Sequence, residues 1–218
     1  MGNQSATWKV LHNAPLFTAP NNQPIYAAPS WTVHPGDGTT CVLVPETGNC
    51  GTVVTIGTGT LLDNDDTLNV SNQAIYGIWD KTPINAPSLL DINYSPASIT
   101  DLTQQTLNTS APSASSLDGD KTFFKSSKEA VDWTTKRGWY INLSSIPNSA
   151  GERVIADPFN LGSSVFVSSV IIGNVVTTDE SCIIQASPPN VIYGLDAITG
   201  ASKRSFDQNG DGRGDDFS

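Results

Sequence analysis

The C-terminal end of the sequence, FDQNGDGRGDDFS, has the residue types and spacing of a calcium-binding loop. Oxygen-bearing side chains alternate along it, and a glycine stands at the sixth position, where such loops turn sharply. The candidate ligands are Asp207, Asn209, Asp211, Arg213 (through its backbone carbonyl) and Asp215. Calcium takes several hard oxygen ligands at about 2.3–2.6 Å, which alternate residues of a curled loop can supply. The spacing therefore predicts a Ca²⁺ site.

The loop departs from an EF-hand at its last position, because Ser218 stands where a bidentate glutamate is required. A shorter loop, with Asp215 or Asp216 completing the ligand shell, fits better, and a structural role for the ion is the simplest. The alternative is an acidic, disordered C-terminus. The tripeptide Arg213-Gly214-Asp215 also suggests integrin recognition, but Asp215 cannot both ligate calcium and be offered to a receptor.

Catalysis has weaker support in the sequence. The two histidines, His12 and His34, both lie in loop-like contexts, and no nucleophile-elbow, zinc-protease or phosphate-loop motif is present. A catalytic pair of carboxylates stays open as an alternative. A second acidic loop, LLDNDDTLN (61–69), lacks the glycine and the spacing of a calcium loop, so it is interpreted as a solvated turn. Five tryptophans offer sugar stacking, although aromatic residues in strands more often belong to the core.

Composition narrows the class of protein. The 218 residues carry a net charge of −10 and 15% charged residues, below the usual quarter. Nucleic acid is not expected as a partner, because phosphate binding needs clustered Lys and Arg. No apolar run reaches the roughly 18 residues that a membrane-spanning helix requires. The first residues lack the features of a signal peptide, so an export signal is expected upstream of this fragment.

Cysteine spacing predicts one local disulfide. Cys41 and Cys50 bracket a segment with Pro45 and a Thr-Gly-Asn run, so a turn between them is plausible. Two reduced thiols are the alternative. Cys182 is left over, either free or with a partner outside this chain.

Short runs bounded by turn residues predict an all-β fold with little helix. The predicted strands lie within 24–33, 51–60, 73–81, 99–107, 137–143, 152–161, 163–172 and 190–200. SSKEAVDWTTKR (126–137) is the single segment with a helical pattern, with Ser127 as a candidate cap. It is short enough to be one helical turn inside a loop.

An internal repeat indicates how the strands assemble. IYAAPSWTV, TVVTIGTG and AIYGIWD are echoed, in order, by VIADPFNLG, SVFVSSVI and VIYGLDAITG. Three strands of one design, repeated, predict a partial β-propeller of about two four-stranded antiparallel blades. The predicted units are about 15–107 and 137–218 of a single domain fragment, with 99–107 as the fourth strand of the first and an insertion at about 108–136. A β-sandwich with similar strands is the alternative.

The collinear motifs resemble the PilC/PilY family of type IV pilus-associated proteins. They are PLFTA (15–19), QPIYAAPSWTVHP (23–35), VVTIGTGTLL (53–62), QAIYGIWDK (73–81), DLTQQTL (101–107), GWYINL (138–143), GERVIADP (151–158), LDAITG (195–200) and FDQNGDG (206–212). The resemblance implies part of the family's C-terminal domain, a modified seven-bladed propeller. The chain lacks the large N-terminal region of the family, which usually carries host binding.

The same resemblance implies a function and a location. The family supports pilus assembly by opposing retraction, and contributes to adhesion and twitching motility, with calcium bound by a D-x-N/D-x-D loop that the segment at Asp207 resembles. The implied partners are minor pilins or other pilus components, with a host or surface receptor as a further candidate. The implied location is secreted, at the pilus tip or the outer-membrane surface. The alternatives are a quinoprotein-like propeller enzyme and a carbohydrate-binding surface module.

Overall fold

The computed structural model describes residues 14–36, 38, 41, 50–84, 95–108, 125–145, 149–172 and 190–203. Within them the chain forms eleven strands, one short α-helix and three 3-10 turns. The strands are β1 (Ser30–Val33), β2 (Thr52–Gly57), β3 (Ala74–Asp80), β4 (Thr103–Gln105), β5 (Leu107–Asn108), β6 (Lys125–Ser126), β7 (Gly138–Asn142), β8 (Arg153–Val154), β9 (Phe159–Leu161), β10 (Ser164–Val170) and β11 (Asn190–Asp196). The helix α1 is Asn64–Leu68, and the 3-10 turns are Pro20–Asn22, Ile99–Asp101 and Leu143–Ser145.

The first sheet has the strand order β1-β2-β3-β7-β4. Its strands are antiparallel except for β4, which runs parallel to β7. The central strand β3 reads AIYGIWD and is buried along almost its whole length, because both of its faces are covered. A strand covered on both faces is nearly continuously apolar, as this one is.

The second sheet has β10 at its centre. β9 and β11 flank β10, and the short β8 pairs with the far end of β10 on the same side as β9. β10 alternates buried Val165, Val167 and Ser169 with more exposed residues, the period-2 pattern of a sheet with one covered face. A separate pair, β5 with β6, completes the described strands.

The strand registers confirm the repeat that the sequence predicts. In the first sheet Ser30 lies opposite Thr55, and Thr55 lies opposite Gly77. In the second sheet Phe159 lies opposite Phe166, and Phe166 lies opposite Gly194. The sequence repeat aligns Ser30 with Phe159 and Gly77 with Gly194 in the same way, whereas a gapless alignment of TVVTIGTG with SVFVSSVI would match Thr55 with Val167. The registers therefore match β1-β2-β3 to β9-β10-β11 and shift the middle strands of the repeat by one residue.

The main core lies between the two sheets. Ile75, Trp139 and Ile141 of the first sheet pack in one cluster with Val167 and Tyr193 of the second. A second cluster covers the other face of the first sheet, and it joins Ala74, Tyr76 and Ile78 to Phe17, Ala97 and Leu102. The segments around Phe17 and Leu102 therefore cover β3 on the side away from the second sheet.

Two local segments differ in detail from the first expectation. The segment 126–137 is not a regular helix, and the alternative of one helical turn inside a loop is correct: its regular structure is the end of β6 and a turn at 133–135. The Asp132 carboxylate accepts hydrogen bonds from the backbone and hydroxyl of Thr134 and from the hydroxyl of Thr135, which closes one helical turn inside a loop. The acidic loop 61–69, interpreted as a solvated turn, contains the short helix α1, none of whose residues is buried.

The fourth strand of the first sheet also differs from the expectation. Next to β3 lies β7, from the predicted second unit, and the predicted fourth strand supplies β4 beyond it. β7 takes this place because Trp139 and Ile141 face the second sheet while Tyr140 pairs with Tyr76 on the opposite face. The all-β fold class is confirmed, and the two open sheets are consistent with a partial β-propeller. The domain boundaries stay a prediction.

Candidate functional site

The predicted calcium ligands, Asp207, Asn209, Asp211, Arg213 and Asp215, lie outside the described residues. So do Cys182 and most of the predicted insertion. Within the described ranges, no three His, Cys, Asp or Glu side chains come together as metal ligands. The structure therefore leaves the calcium prediction as it stands.

The described residues bring together a different polar group, at the junction of the two sheets. Glu152, which is 2% exposed, lies immediately before β8. Its Oε1 accepts hydrogen bonds from Ser169 Oγ at 2.5 Å and from Tyr193 Oη at 2.7 Å. Its Oε2 is buried and has no hydrogen-bond partner among the described residues. Ser169 and Tyr193 lie on the core face of the second sheet, so this carboxyl group reaches into the core.

The next residue reaches the other way. Arg153 is 1% exposed, and its guanidinium donates only to backbone carbonyls. Its Nη1 donates to Thr60 at 2.7 Å and to Asp66 at 3.0 Å, its Nη2 to Asn69, and its Nε to Gly151 at 3.0 Å. Arg153 therefore binds three carbonyls of the loop that carries α1. We call Glu152 and Arg153 the junction pair.

The acidic residues of that loop stabilise it from within. Asp63 caps α1 by accepting the backbone N–H of Asp66 at 3.0 Å. The Asp66 carboxylate accepts hydrogen bonds from the Thr60 hydroxyl and from the backbone N–H of Leu62, both at 2.8 Å. These carboxylates are therefore engaged in local hydrogen bonds rather than grouped around a common cation position.

Burial and hydrogen bonding shift the pKa values of this region in opposite directions. Burial raises the pKa of Glu152, although the hydrogen bonds from Ser169 and Tyr193 oppose the shift. Burial and the neighbouring Glu152 raise the pKa of Tyr193. The pKa of Asp66 is lowered, first by the backbone hydrogen bond from Leu62 and then by that from the Thr60 hydroxyl. Burial lowers the pKa of Arg153.

A second feature positions the LDAITG turn at the end of β11. Asp196 Oδ1 accepts the backbone N–H groups of Ile198 and Thr199, both at 3.0 Å. Gly200 closes the turn at φ +70°, and a Cβ there would lie 2.3 Å from the Trp139 ring. A Cβ on Gly77 would likewise lie 2.3 Å from another part of the same indole. The Trp139 ring thus fits between two glycines, one on β3 and one on the turn.

The histidine and tryptophan candidates are mainly structural. His34 is fully buried and stacks on Trp79, with ring centroids 4.2 Å apart, while Trp133 meets its ring edge-on at 4.4 Å. Trp79 Nε1 donates to the carbonyl of Cys50 at 2.7 Å. Of the four described tryptophans only Trp31 is mostly exposed, so they form no aromatic platform of the kind that sugar stacking needs.

The predicted disulfide is confirmed. Cys41 and Cys50 are bonded, with their Cα atoms 5.5 Å apart. The Cys50 carbonyl accepts a hydrogen bond from the Trp79 indole N–H. The disulfide therefore ties Cys41 to a residue that is held against the packed rings of His34, Trp79 and Trp133.

Taken together, the described polar groups fix loops and turns onto the sheets. The sequence reasoning did not identify Glu152 and Arg153 as a functional pair, because no motif spacing marks them. The signal that could have found them is their position beside a short strand in GERVIADP, where two adjacent charged residues interrupt an otherwise apolar pattern.

Comparison of the sequence with known proteins identifies relatives among type IV pilus biogenesis factors. No family model matches the sequence. The type IV pilus biogenesis factor PilY1 of Pseudomonas aeruginosa strains PAO1 and PAK is 29% identical in an alignment of 203 positions that covers 85% of this chain and 15% of the relative. PilY1 of strain UCBPP-PA14 is 27% identical in an alignment of 209 positions that covers 86% of this chain and 16% of the relative. This chain thus spans about a sixth of the length of the curated relatives it matches.

A solved structure agrees with these relatives. The crystal structure of the Pseudomonas aeruginosa PilY1 C-terminal domain superposes with a TM-score of 0.66 at 27% identity, covering 91% of this chain and 37% of that one. In the part of the chain that the structure describes, no helix is long and apolar enough to cross a membrane. The resemblance to the PilC/PilY family is therefore confirmed: the chain is a homologue of PilY1, related over most of its own length to part of the PilY1 C-terminal domain.

Proposed function

We propose that this chain is a calcium-binding structural scaffold within a type IV pilus biogenesis and adhesion protein, where it supports pilus assembly and surface attachment and has no catalytic role. The observation that carries the proposal is the agreement of two comparisons, since sequence and fold both relate the chain to PilY1. The relatives named as pilus biogenesis factors are much longer than this chain. The proposal therefore assigns to this chain a share in the activity of a longer protein.

The hydrogen bonds of the buried polar residues support a scaffold role. Glu152 holds two hydroxyl groups of the second sheet, and Arg153 holds the carbonyls of a loop on the first. His34, which an enzyme could use for proton transfer, is packed against two tryptophans. These groups are committed to holding the structure together.

Calcium binding rests on the chemistry of the donor set. Asp207, Asn209, Asp211 and Asp215 supply hard oxygen atoms at alternate positions, and Arg213 adds a backbone carbonyl. A cation bound there would neutralise carboxylates that otherwise repel one another, and so would stabilise the end of the chain.

The proposed setting is the cell exterior, at the pilus tip or the outer-membrane surface. The confirmed disulfide suits an oxidising compartment. The proposed partners are minor pilins or other pilus components, and a host or surface receptor for the adhesive role.

The test is genetic and uses the whole gene in the organism that encodes the chain. Trp139→Ala should abolish surface pili, because truncating a buried tryptophan costs about 3–5 kcal/mol and unfolds the sheet junction. Leu68→Ser, at an exposed position on α1, is the matched control and should leave pili unchanged. Pili are counted by electron microscopy, and twitching is measured on agar. Normal piliation after in-frame deletion of these 218 residues would contradict the proposal.

A further inference from the structure

The loop between β2 and β3 presents large apolar side chains to solvent. Leu62 is 65% exposed, Leu68 75% and Val70 53%, and none of the side chains at 61–72 is buried. Single exposed aliphatic residues are ordinary on a protein surface. Three within nine consecutive residues (62–70) are a concentration of the kind that marks an interaction surface. We call Leu62, Leu68 and Val70 the loop patch.

A neighbouring segment extends this apolar surface. Ile25 pairs with Gly59 in a parallel bridge, and the Gly59 N–H donates to the carbonyl of Pro24 at 2.8 Å. The segment before β1 therefore runs beside the start of the loop. The side chains of Ile25 and Tyr26 are also exposed, so both segments that meet at Gly59 carry exposed apolar residues.

The backbone of the loop is held by hydrogen bonds, although its side chains add nothing to the core. Arg153 donates to the carbonyls of Thr60 at 2.7 Å and of Asp66 at 3.0 Å. At the other end of the loop, Gln23 Nε2 donates to the carbonyl of Asn72 at 2.8 Å. Taking a guanidinium out of water is costly, and this one holds a loop whose own side chains stay in solvent. A surface held in one conformation loses less entropy when it binds a partner, so the loop is pre-organised for docking.

The charge around the loop patch indicates the chemistry of the partner. Residues 61–72 include Asp63, Asp65 and Asp66 and no Lys or Arg. A backbone hydrogen bond lowers the pKa of Asp66, so this carboxylate is ionised at neutral pH. Arg153 does not offset these charges at the surface, because it is buried. An apolar surface with an acidic border is complementary to an apolar surface bordered by Lys and Arg.

The same charges disfavour two other occupants. A second copy of the chain, which has a net charge of −10, would bring like charges together. A bilayer surface of anionic lipid carries a negative potential and would repel the loop as well.

We propose that the loop patch, together with Ile25 and Tyr26, is a docking surface for a partner protein whose apolar contact residues are bordered by Lys and Arg. The inference goes beyond the proposed function and does not depend on it, because it rests on the exposure, the hydrogen bonds and the charge of one loop. The two sheets do not bury these side chains, so Leu68→Ser should leave piliation intact and still weaken the docking. The two proposals can therefore fail separately.

Site-specific cross-linking tests the docking in the protein as its gene encodes it. A benzophenone amino acid is placed at Leu62 in the cells that encode the chain, and cross-linked peptides are identified by mass spectrometry. We expect the probe to bond to one peptide of a different protein, in which apolar residues lie next to Lys or Arg. Cross-links to the same polypeptide, to a second copy of it or to lipid would overturn the proposal, as would no cross-link at all.

Substitutions in the loop decide whether that contact is the proposed one. Leu68→Ser should lower the Leu62 cross-link yield about tenfold, because burying a leucine is worth roughly a factor of ten or more in a docking equilibrium. Asp65→Lys should lower the yield about two- to fivefold, as the loss of an exposed ion pair does, and should reduce its dependence on salt. Ile84→Ser, at an exposed position beyond the far end of β3, is the matched control and should leave the yield unchanged. A yield that either loop substitution leaves unchanged would contradict the docking surface.

Discussion

At the scale of residues, two adjacent side chains connect the two sheets. Glu152 binds Ser169 and Tyr193 in the second sheet, and Arg153 binds the loop that follows β2 in the first. Both are almost fully buried, where an unsatisfied polar group is costly. Arg153 meets this requirement with four carbonyl acceptors, whereas one oxygen of Glu152 has no partner among the described residues. A protonated carboxyl group suits the position of Glu152 better than an ionised one.

This arrangement predicts a pH dependence of stability. Burial raises the pKa of native Glu152 above its ordinary value of 4.5, so the native state keeps a proton that the unfolded chain has released. Its contribution to stability is therefore full below pH 4.5 and is lost as the pH rises through the raised native pKa. The loss is about 1.4 kcal/mol for each unit by which the native pKa is raised.

Glu152→Gln measures that contribution, because the amide stays neutral. The free energy of unfolding of the wild type minus that of Glu152→Gln, from urea titrations at several pH values, should fall as the pH rises. Glu129→Gln, at an exposed position, is the matched control. A difference that stays constant over the whole series would show that Glu152 ionises alike in both states.

At the scale of elements, glycines decide how closely the strands and turns approach. The Trp139 ring occupies the space where Gly77 and Gly200 would carry a Cβ. Gly57 on β2 makes room in the same way for Val154 of β8, because a Cβ on Gly57 would lie 2.4 Å from Val154 Cγ1. The two sheets and the LDAITG turn therefore meet at positions where no side chain larger than glycine fits.

Gly77→Ala should destabilise the protein by about 1–3 kcal/mol through overpacking against Trp139. The cost should shrink when Trp139→Phe makes room, so the two substitutions should couple in a double-mutant cycle of urea unfolding. Gly162→Ala, with nothing within 4 Å of the new Cβ, should combine additively with Trp139→Phe. Additivity at Gly77 as well would show that the ring and the glycine do not constrain each other.

The elements could be predicted from the sequence to a large extent. Short runs bounded by turn residues predicted the strands of the two sheets, although the run 152–161 contains two strands, β8 and β9. The Ile-Tyr-Gly repeat predicted the correspondence of β1-β2-β3 with β9-β10-β11. The position of β7 could not be predicted. Its pairing with β3 depends on the packing of Trp139 against Gly77 and Gly200, which are distant from it in the sequence. α1 was missed because its five residues are too few for a periodic pattern, and its stability comes from Asp63, Asp66 and the distant Arg153.

At the scale of the whole molecule, the sequence gives one prediction beyond the described fold, the calcium loop at Asp207–Asp215. This prediction rests on the spacing of oxygen-bearing residues within the loop, and the fold of the two sheets gives no evidence for or against it. The disulfide between Cys41 and Cys50 was likewise predicted from spacing, and it is confirmed. The contacts of the junction pair could not be predicted, because its partners are spread across both sheets.

Calcium should raise the melting temperature of the protein, because a ligand that binds only the native state stabilises it. At one hundred times the dissociation constant the gain is about 2.7 kcal/mol, or roughly 5–10 °C for a chain of this size. Chelation should reverse the gain, and Asp211→Ala should abolish it, whereas Asp65→Ala on α1 should retain it. Identical melting curves with calcium and with chelator would contradict the proposed site.

The junction pair has a consequence for how the protein comes apart. Residues 152 and 153 are neighbours in the chain, yet one is held by the second sheet and the other by the first. If either sheet melted, a charged or acidic group would lose its partners while its neighbour stayed anchored in the other. The dipeptide therefore adds polar contacts to the core that the two sheets share, so loss of either sheet would leave a buried polar group without its partners.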